Sequence, residues 1–139
     1  MATVEQILMV KGPDVIVAAP SNTVFDAAKM MAEANVGSVI IKDGGHTEGI
    51  FTERDLLCRV IALRKDASTT TLAEVMSSPI KACGLDDEVH EVANMLTMEH
   101  IRHLAVIEGD ALIGVIGLRD LLTAELRETE EKLKQYQVN

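Results

Sequence analysis

The sequence predicts an α+β fold of two tandem, pseudo-twofold related β-α-β-β-α repeats, followed by a C-terminal helical tail. Three observations carry this expectation. Residues 49–57 read GIFTERDLL and residues 114–122 read GVIGLRDLL, so one phrase recurs at a fixed offset of 65, and an internal repeat of this length marks a duplicated structural unit. Within each copy the apolar period switches from helical spacing to a short continuous run. Beyond the second copy, Leu122, Leu126, Thr129, Leu133 and Tyr136 recur at alternating steps of four and three, the period of a helix with one apolar seam.

The overlay is ungapped over residues 23–57 and 88–122. Val24/Val89, Ala28/Ala93, Met30/Met95, Gly44/Gly109, Gly49/Gly114 and the whole of Arg-Asp-Leu-Leu are identical. Each copy opens with a short helix, TVEQILM or LAEVM, and then an apolar piece, DVIVAA or PIKAC, read as a first strand. Val24, Ala27, Ala28 and Met31 form a helical stripe, as do Val89, Val92, Ala93 and Leu96. The cap-competent pairs Ser21-Asn22 and Asp86-Asp87 are expected to start these helices. SVIIK and LAVIE follow as central strands, with Gly-containing turns at DGG and EGD leading to strands through GIF and GVIG. A helix is expected at each RDLL. The boundaries are 1–66 for the first repeat, 67–126 for the second and 127–139 for the tail. Units of about 60 residues bury too little surface to be stable alone, so the two are expected to pack together.

Composition narrows the class. The chain has 139 residues, 47% hydrophobic and 25% charged. No apolar run approaches the roughly 18 residues of a membrane span, and MATVEQILMVKGPD lacks the features of a signal peptide, so a cytoplasmic setting without membrane contact is expected. Cys58 and Cys83 form no C-x-x-C pattern and are expected to be reduced, small, buried or half-buried residues. The net charge of −9 opposes counterion-driven nucleic-acid binding, and Phe25, Phe51 and Tyr136 are the only aromatics, too few for base stacking.

The motif has two physical readings. T-x-x-D ahead of apolar residues is a serviceable helix capping box. A threonine and a carboxylate at a helix start also suit a ligand, since free N–H groups favour an anion there and a carboxylate accepts from two neighbouring hydroxyls. Gly49, Ile50, Thr52 and Asp55 meet the pattern G-h-x-[ST]-x-x-D in full, whereas Gly114, Val115 and Asp120 meet it in part, with Gly117 in place of Thr52. With NVGSVII and HIRHLAV leading into the central strands, nearly the whole chain resembles the paired cystathionine-β-synthase (CBS) domains, often called a Bateman module.

That resemblance implies a regulatory, non-catalytic module that binds an adenine nucleotide in clefts between the repeats, AMP foremost, then ATP, ADP or NAD. It implies that Asp55 holds ribose hydroxyls, Thr52 meets the phosphate side, and Ile16, Val36, Gly37 and Ser38 line the adenine pocket. Arg102 and His103 would bring charge to the phosphates. Lys81, Ile101, Arg102 and Asp120 would line a second cleft, the weaker one because Gly117 supplies no hydroxyl. A homodimer and an unidentified regulated protein are the expected partners. No metal is expected: His100 and His103 are three apart, but HIRH leads into a strand, so the rings should diverge. Two alternatives stay open, a dimerising scaffold with degenerate clefts and, last, a metal-assisted hydrolase using HIRH and Asp120.

Overall fold

The computed structural model describes residues 1–12 and 15–138. In chain order these form α1 (Val4–Lys11), β1 (Val17–Ala18), α2 (Val24–Ala34), β2 (Ser38–Asp43), β3 (His46–Thr52) and α3 (Glu53–Asp55), which continues as a π-helical stretch over Leu56–Ile61. After these come α4 (Leu72–Val75), β4 (Ala82–Cys83), α5 (Val89–Glu99), β5 (His103–Glu108), β6 (Ala111–Gly117) and α6 (Leu118–Val138). The expected order of elements is therefore present in both repeats. Both first strands are shorter than their apolar pieces, and Asp14 of DVIVAA lies outside the described residues.

The residues make two compact units. One is Val15–Ile80; the other joins the N-terminal segment to Lys81 and everything after it. Each has a three-stranded sheet, β1-β2-β3 or β4-β5-β6, with a parallel pair followed by an antiparallel hairpin. The registers correspond at the repeat offset: Ile40 faces Ile50 and Ala105 faces Val115, and each hairpin has its irregularity at the same place, between Ile41/Lys42 and Val106/Ile107.

The units cut across the repeat boundaries because the leading helices are exchanged. α1 precedes the first repeat in the chain yet packs in the unit of the second, where Val4 N donates to Asp87 O (3.0 Å), Glu5 N to Leu85 O (3.0 Å) and Val89 N to Ala2 O (3.0 Å). α4 makes the matching bonds in the other unit: Leu72 N to Asn22 O (2.9 Å), Ala73 N to Pro20 O (3.0 Å) and Val24 N to Thr70 O (2.9 Å). The cores follow suit. Val4 and Ile7 join Val92, Leu96, Leu104 and Ile116, whereas Leu72 and Val75 join Val24, Val39, Phe51 and Val60. Full burial of an aliphatic side chain such as Val4 or Leu72 stabilises by about 1.5–3 kcal/mol.

The helix starts differ from the expectation by one residue. Thr23 caps α2, its hydroxyl accepting from Asp26 N (3.1 Å) while Asp26 Oδ2 accepts from Thr23 N (3.0 Å). The bond from the Thr23 N–H, and after it the Thr23 hydroxyl beside the carboxylate, hold the Asp26 carboxyl below its usual range. Asn22 instead closes the preceding turn by accepting from Ala19 N (2.8 Å), and Asp87 does the same for Gly84 N (2.8 Å). α5 is capped by Glu88, without a side-chain bond. Short polar side chains serve turn and cap equally well, which is why local pattern placed the caps too early. The cysteines also divide: Cys83 is buried as expected, but Cys58 is exposed, on a turn whose inward position is taken by Val60.

Candidate functional site

Each copy of the motif sits where β3 or β6 hands over to the following helix. In the first, Thr52 caps α3 and Asp55 folds back: Asp55 N donates to Thr52 Oγ1 (3.3 Å), and Asp55 Oδ2 accepts from Thr52 N (3.0 Å) and Thr52 Oγ1 (3.2 Å). The capping-box reading of T-x-x-D is therefore realised. The other carboxylate oxygen is also occupied, by Ser77 Oγ at 3.0 Å and by Arg59 Nε at 3.5 Å. A carboxylate offers about four acceptor positions; here three hydrogen bonds engage both oxygens and the Arg59 guanidinium pairs with Oδ1. Asp55 is only 6% exposed.

Ser77 reaches this site because its backbone pairs with β3, Ser77 N donating to Ile50 O (2.8 Å) and Ile50 N to Ser77 O (3.0 Å). Gly49 makes that approach possible: a Cβ there would lie 2.6 Å from the Ser77 carbonyl oxygen. Arg59 is tied down in turn, its Nη1 donating to Met76 O (2.9 Å).

The second motif shares the backbone and differs in its side chains. Gly117 N donates to Asp120 Oδ2 (2.8 Å), repeating the Thr52 N bond. Where Ser77 served the first motif, Lys11 from α1 serves the second: its Nζ donates to Val115 O (2.9 Å), the counterpart of Ile50 O, and to Asp120 Oδ2 (2.8 Å). Among the described residues no donor is placed on Asp120 Oδ1, and the side chain is 30% exposed. Lys11 and Asp120 stand together in an open groove of about 690 Å³ between α1 and α6, whose walls include Ile7, Val10, Arg119, Thr123 and Ala124.

The residues singled out by sequence fall into two sets. Ile16, Val36, Gly37, Ser38, Thr52 and Asp55 belong to one unit; Lys81, Ile101, Arg102, His103 and Asp120 belong to the other. Within each, the backbone draws them together in the same way. Ile16 O accepts from Ile40 N (2.8 Å) and Gly37 O from Glu53 N (3.1 Å); their counterparts are Lys81 O with Ala105 N (3.0 Å) and Arg102 O with Leu118 N (2.7 Å). The approach to the central strand thus touches the helix that carries the motif aspartate. Lys81 Nζ lies 3.7 Å from Glu99, and Arg102 is exposed. His100 is the left-handed C-cap of α5 and His103 opens β5, so they share no helix face. Among the described residues no group of three His, Cys, Asp or Glu is disposed to hold a metal, and no helix is long and apolar enough to cross a membrane.

The family model for the CBS domain matches this chain twice, over residues 4–62 and 72–127. The chain belongs to the CBS-domain family. Pairs of CBS domains are generally regulatory modules, and such proteins are typically non-catalytic. The chain is 32% identical over 129 residues to an uncharacterized protein of Methanopyrus kandleri, covering 89% of this chain and 66% of the relative. A mitochondrial CBS domain-containing protein of Arabidopsis thaliana, CBSX3, is 30% identical over 82% of this chain and 58% of its own length. The chain thus spans less than two thirds of these curated relatives. Solved structures match more completely. A protein with CBS domains from Burkholderia ambifaria superposes with a TM-score of 0.87 at 30% identity, covering 91% of this chain and 95% of that one. A CBS-domain containing protein of Agrobacterium tumefaciens gives 0.84 at 28% identity, with 89% and 99% covered.

Sequence reasoning missed Ser77, Arg59 and Lys11. Arg59 was open to discovery, since it stands one turn after Asp55. The others arrive from segments 22 and 109 residues away in sequence from the carboxylates they touch, and only an overlay of TVEQIL on TLAEVM would have pointed to the exchanged helices.

Proposed function

We propose that this chain is a non-catalytic regulatory module that senses an adenine nucleotide, AMP foremost and then ATP, ADP or NAD, in the cytoplasm, for a regulated protein yet to be identified. The observation that carries the proposal is the difference between the two aspartates. Ribose recognition needs a carboxylate oxygen with a vacant acceptor position; the Asp120 side chain is partly exposed, and its Oδ1 receives no donor among the described residues. Lys11, with two of its three donors engaged, has one left for a phosphate, and the groove beside it is within the size range of small-ligand sites. This supports ranking Asp120 ahead of Asp55, the reverse of the order that Gly117 suggested. A nucleotide ribose at Asp55 would have to displace Ser77 or Arg59.

The engaged carboxylate oxygens of Asp55 favour a second reading for the first repeat alone, in which its motif is a structural cap and its pocket is degenerate.

A homodimer is also proposed. Leu57 and Leu122 are 63% and 51% exposed, and Ile61 and Leu126 are both 59% exposed; these pairs stand at equivalent repeat positions. Exposed large aliphatics kept in register in both repeats mark, on each unit by itself, a surface that associates. Titration calorimetry with AMP, ADP, ATP, NAD and adenosine tests the ligand reading: tenfold weaker binding on Asp120→Ala supports it, and unchanged binding by both Asp120→Ala and Asp55→Ala sinks it.

A further inference from the structure

α6 outruns the unit that supports it. Leu121 is fully buried and Leu118, Ala124, Glu125 and Glu128 are partly so, but every residue from Thr129 to Gln137 is exposed. A helical stretch with nothing behind it is marginal in water, because helices draw most of their stability from packing an apolar face. Such a face exists. Leu122, Leu126, Leu133 and Tyr136 are 51%, 59%, 56% and 82% exposed, and with Thr129 they form one line roughly 21 Å long at 1.5 Å per residue.

We propose that this seam is covered by the α6 helix of a second copy of the chain, running antiparallel. Resting on the homodimer reading above, this names the element and the direction. Direction follows from the flanking charges. In a two-stranded seam Leu126 and Leu133 take the a positions, and Leu122, Thr129 and Tyr136 take d. A parallel pair would set Glu125 against Glu130 of the partner subunit, twice by symmetry. An antiparallel pair with Leu122 opposite the partner's Leu133, and Leu126 opposite the partner's Thr129, instead sets Glu125 against the partner's Lys132, also twice. Opposite charges replace like charges. Glu125, Glu128, Glu130 and Glu131 beside the seam disfavour an anionic lipid surface as its cover.

The test uses the full chain with Cys58→Ser, because Cys58 is exposed and Cys83 is buried. Chains carrying Leu122→Cys and chains carrying Leu133→Cys are mixed under reducing conditions and then oxidised. The antiparallel seam brings residue 122 opposite residue 133, within disulfide reach, so the mixture cross-links and each variant alone does not. In sedimentation, Lys132→Glu weakens the dimer roughly three- to tenfold at low salt and the double variant Glu125→Lys/Lys132→Glu restores it, on the scale of paired surface charges. Self-cross-linking of each variant alone means a parallel seam and overturns the proposal. A dimer that neither cross-links nor responds to Lys132→Glu overturns it too, while leaving the homodimer reading intact. A parent chain that sediments as a monomer at tens of micromolar overturns both.

Discussion

Lys11 Nζ lies 2.8 Å from Asp120 Oδ2, although the two residues are 109 positions apart in the chain. The same ammonium caps the Val115 carbonyl at 2.9 Å, so one side chain from α1 does for the second repeat what the Ser77 backbone N–H and hydroxyl do for the first. The substitution matters because a hydroxyl brings no charge and an ammonium brings one. If Lys11 serves a phosphate, Lys11→Met weakens AMP at least fivefold and leaves adenosine within twofold, with the gap closing as salt rises. Calorimetry at two salt concentrations reads this directly; equal losses for AMP and adenosine would assign Lys11 a structural role only.

The two motif aspartates separate stability from binding. Asp55 is buried, and its loss strands the Thr52 N–H and the Ser77 hydroxyl, so Asp55→Ala costs roughly 2–4 kcal/mol. Asp120 is half-exposed, and water replaces it readily; Asp120→Ala costs about 1 kcal/mol or less. Urea unfolding measures both. A cost for Asp120→Ala that matches Asp55→Ala would show that the second motif is as structural as the first.

Glycines at related places respond in opposite ways. Gly49→Ala drives a Cβ to 2.6 Å from the Ser77 carbonyl oxygen, and backbone cannot step aside cheaply, so a loss of about 2 kcal/mol or more follows. At Gly117 the nearest atom, Cδ2 of His103, stands 3.4 Å from an added Cβ. A Cβ there meets only ordinary contact, and as a cap threonine is worth a few tenths of a kcal/mol either side of glycine, so Gly117→Thr is expected to be nearly neutral. Thermal unfolding of the two variants is the check; a strongly destabilised Gly117→Thr would mean that the site resists a side chain for a reason other than space.

Much of the fold was legible because repeat and periodicity are local signals. Val24, Ala27 and Met31 are buried and Ala28 half-buried along the stripe read from spacing, and Val89, Val92, Ala93 and Leu96 are all buried. The exchange of α1 and α4 was not legible. TVEQIL and TLAEVM are nearly interchangeable amphipathic turns, and nothing in either says which sheet it covers. The site divides in the same way. Thr52, Asp55 and Asp120 were readable as a spacing, but whether a carboxylate is vacant or filled depends on Ser77, Arg59 and Lys11, which meet it only after folding. Gly117 drew attention to the missing hydroxyl, while the arrival of Lys11 had no local mark.

The two thiols give a final prediction that needs no ligand. Burial, with a smaller contribution from the Asp87 carboxylate, pushes the Cys83 thiol up to about 12, so at neutral pH it is a thiol shielded from solvent, whereas Cys58 is exposed. Thiolate is the reactive form. A thiol-disulfide reagent at pH 8 should modify one equivalent quickly, at Cys58, and the second only at the rate of unfolding; Cys58→Ser removes the fast phase. The raised value also carries a stability consequence. Because the folded state favours the protonated thiol, the contribution is fully present below the ordinary thiol value of 9.0. It then falls as the pH climbs from there toward about 12, since the unfolded chain releases its proton first. Cys83→Ala should flatten that alkaline decline in denaturant titrations. A decline that persists unchanged in the variant would place its origin in other groups, and two equivalents reacting at the fast rate would show that Cys83 is reachable in the folded protein.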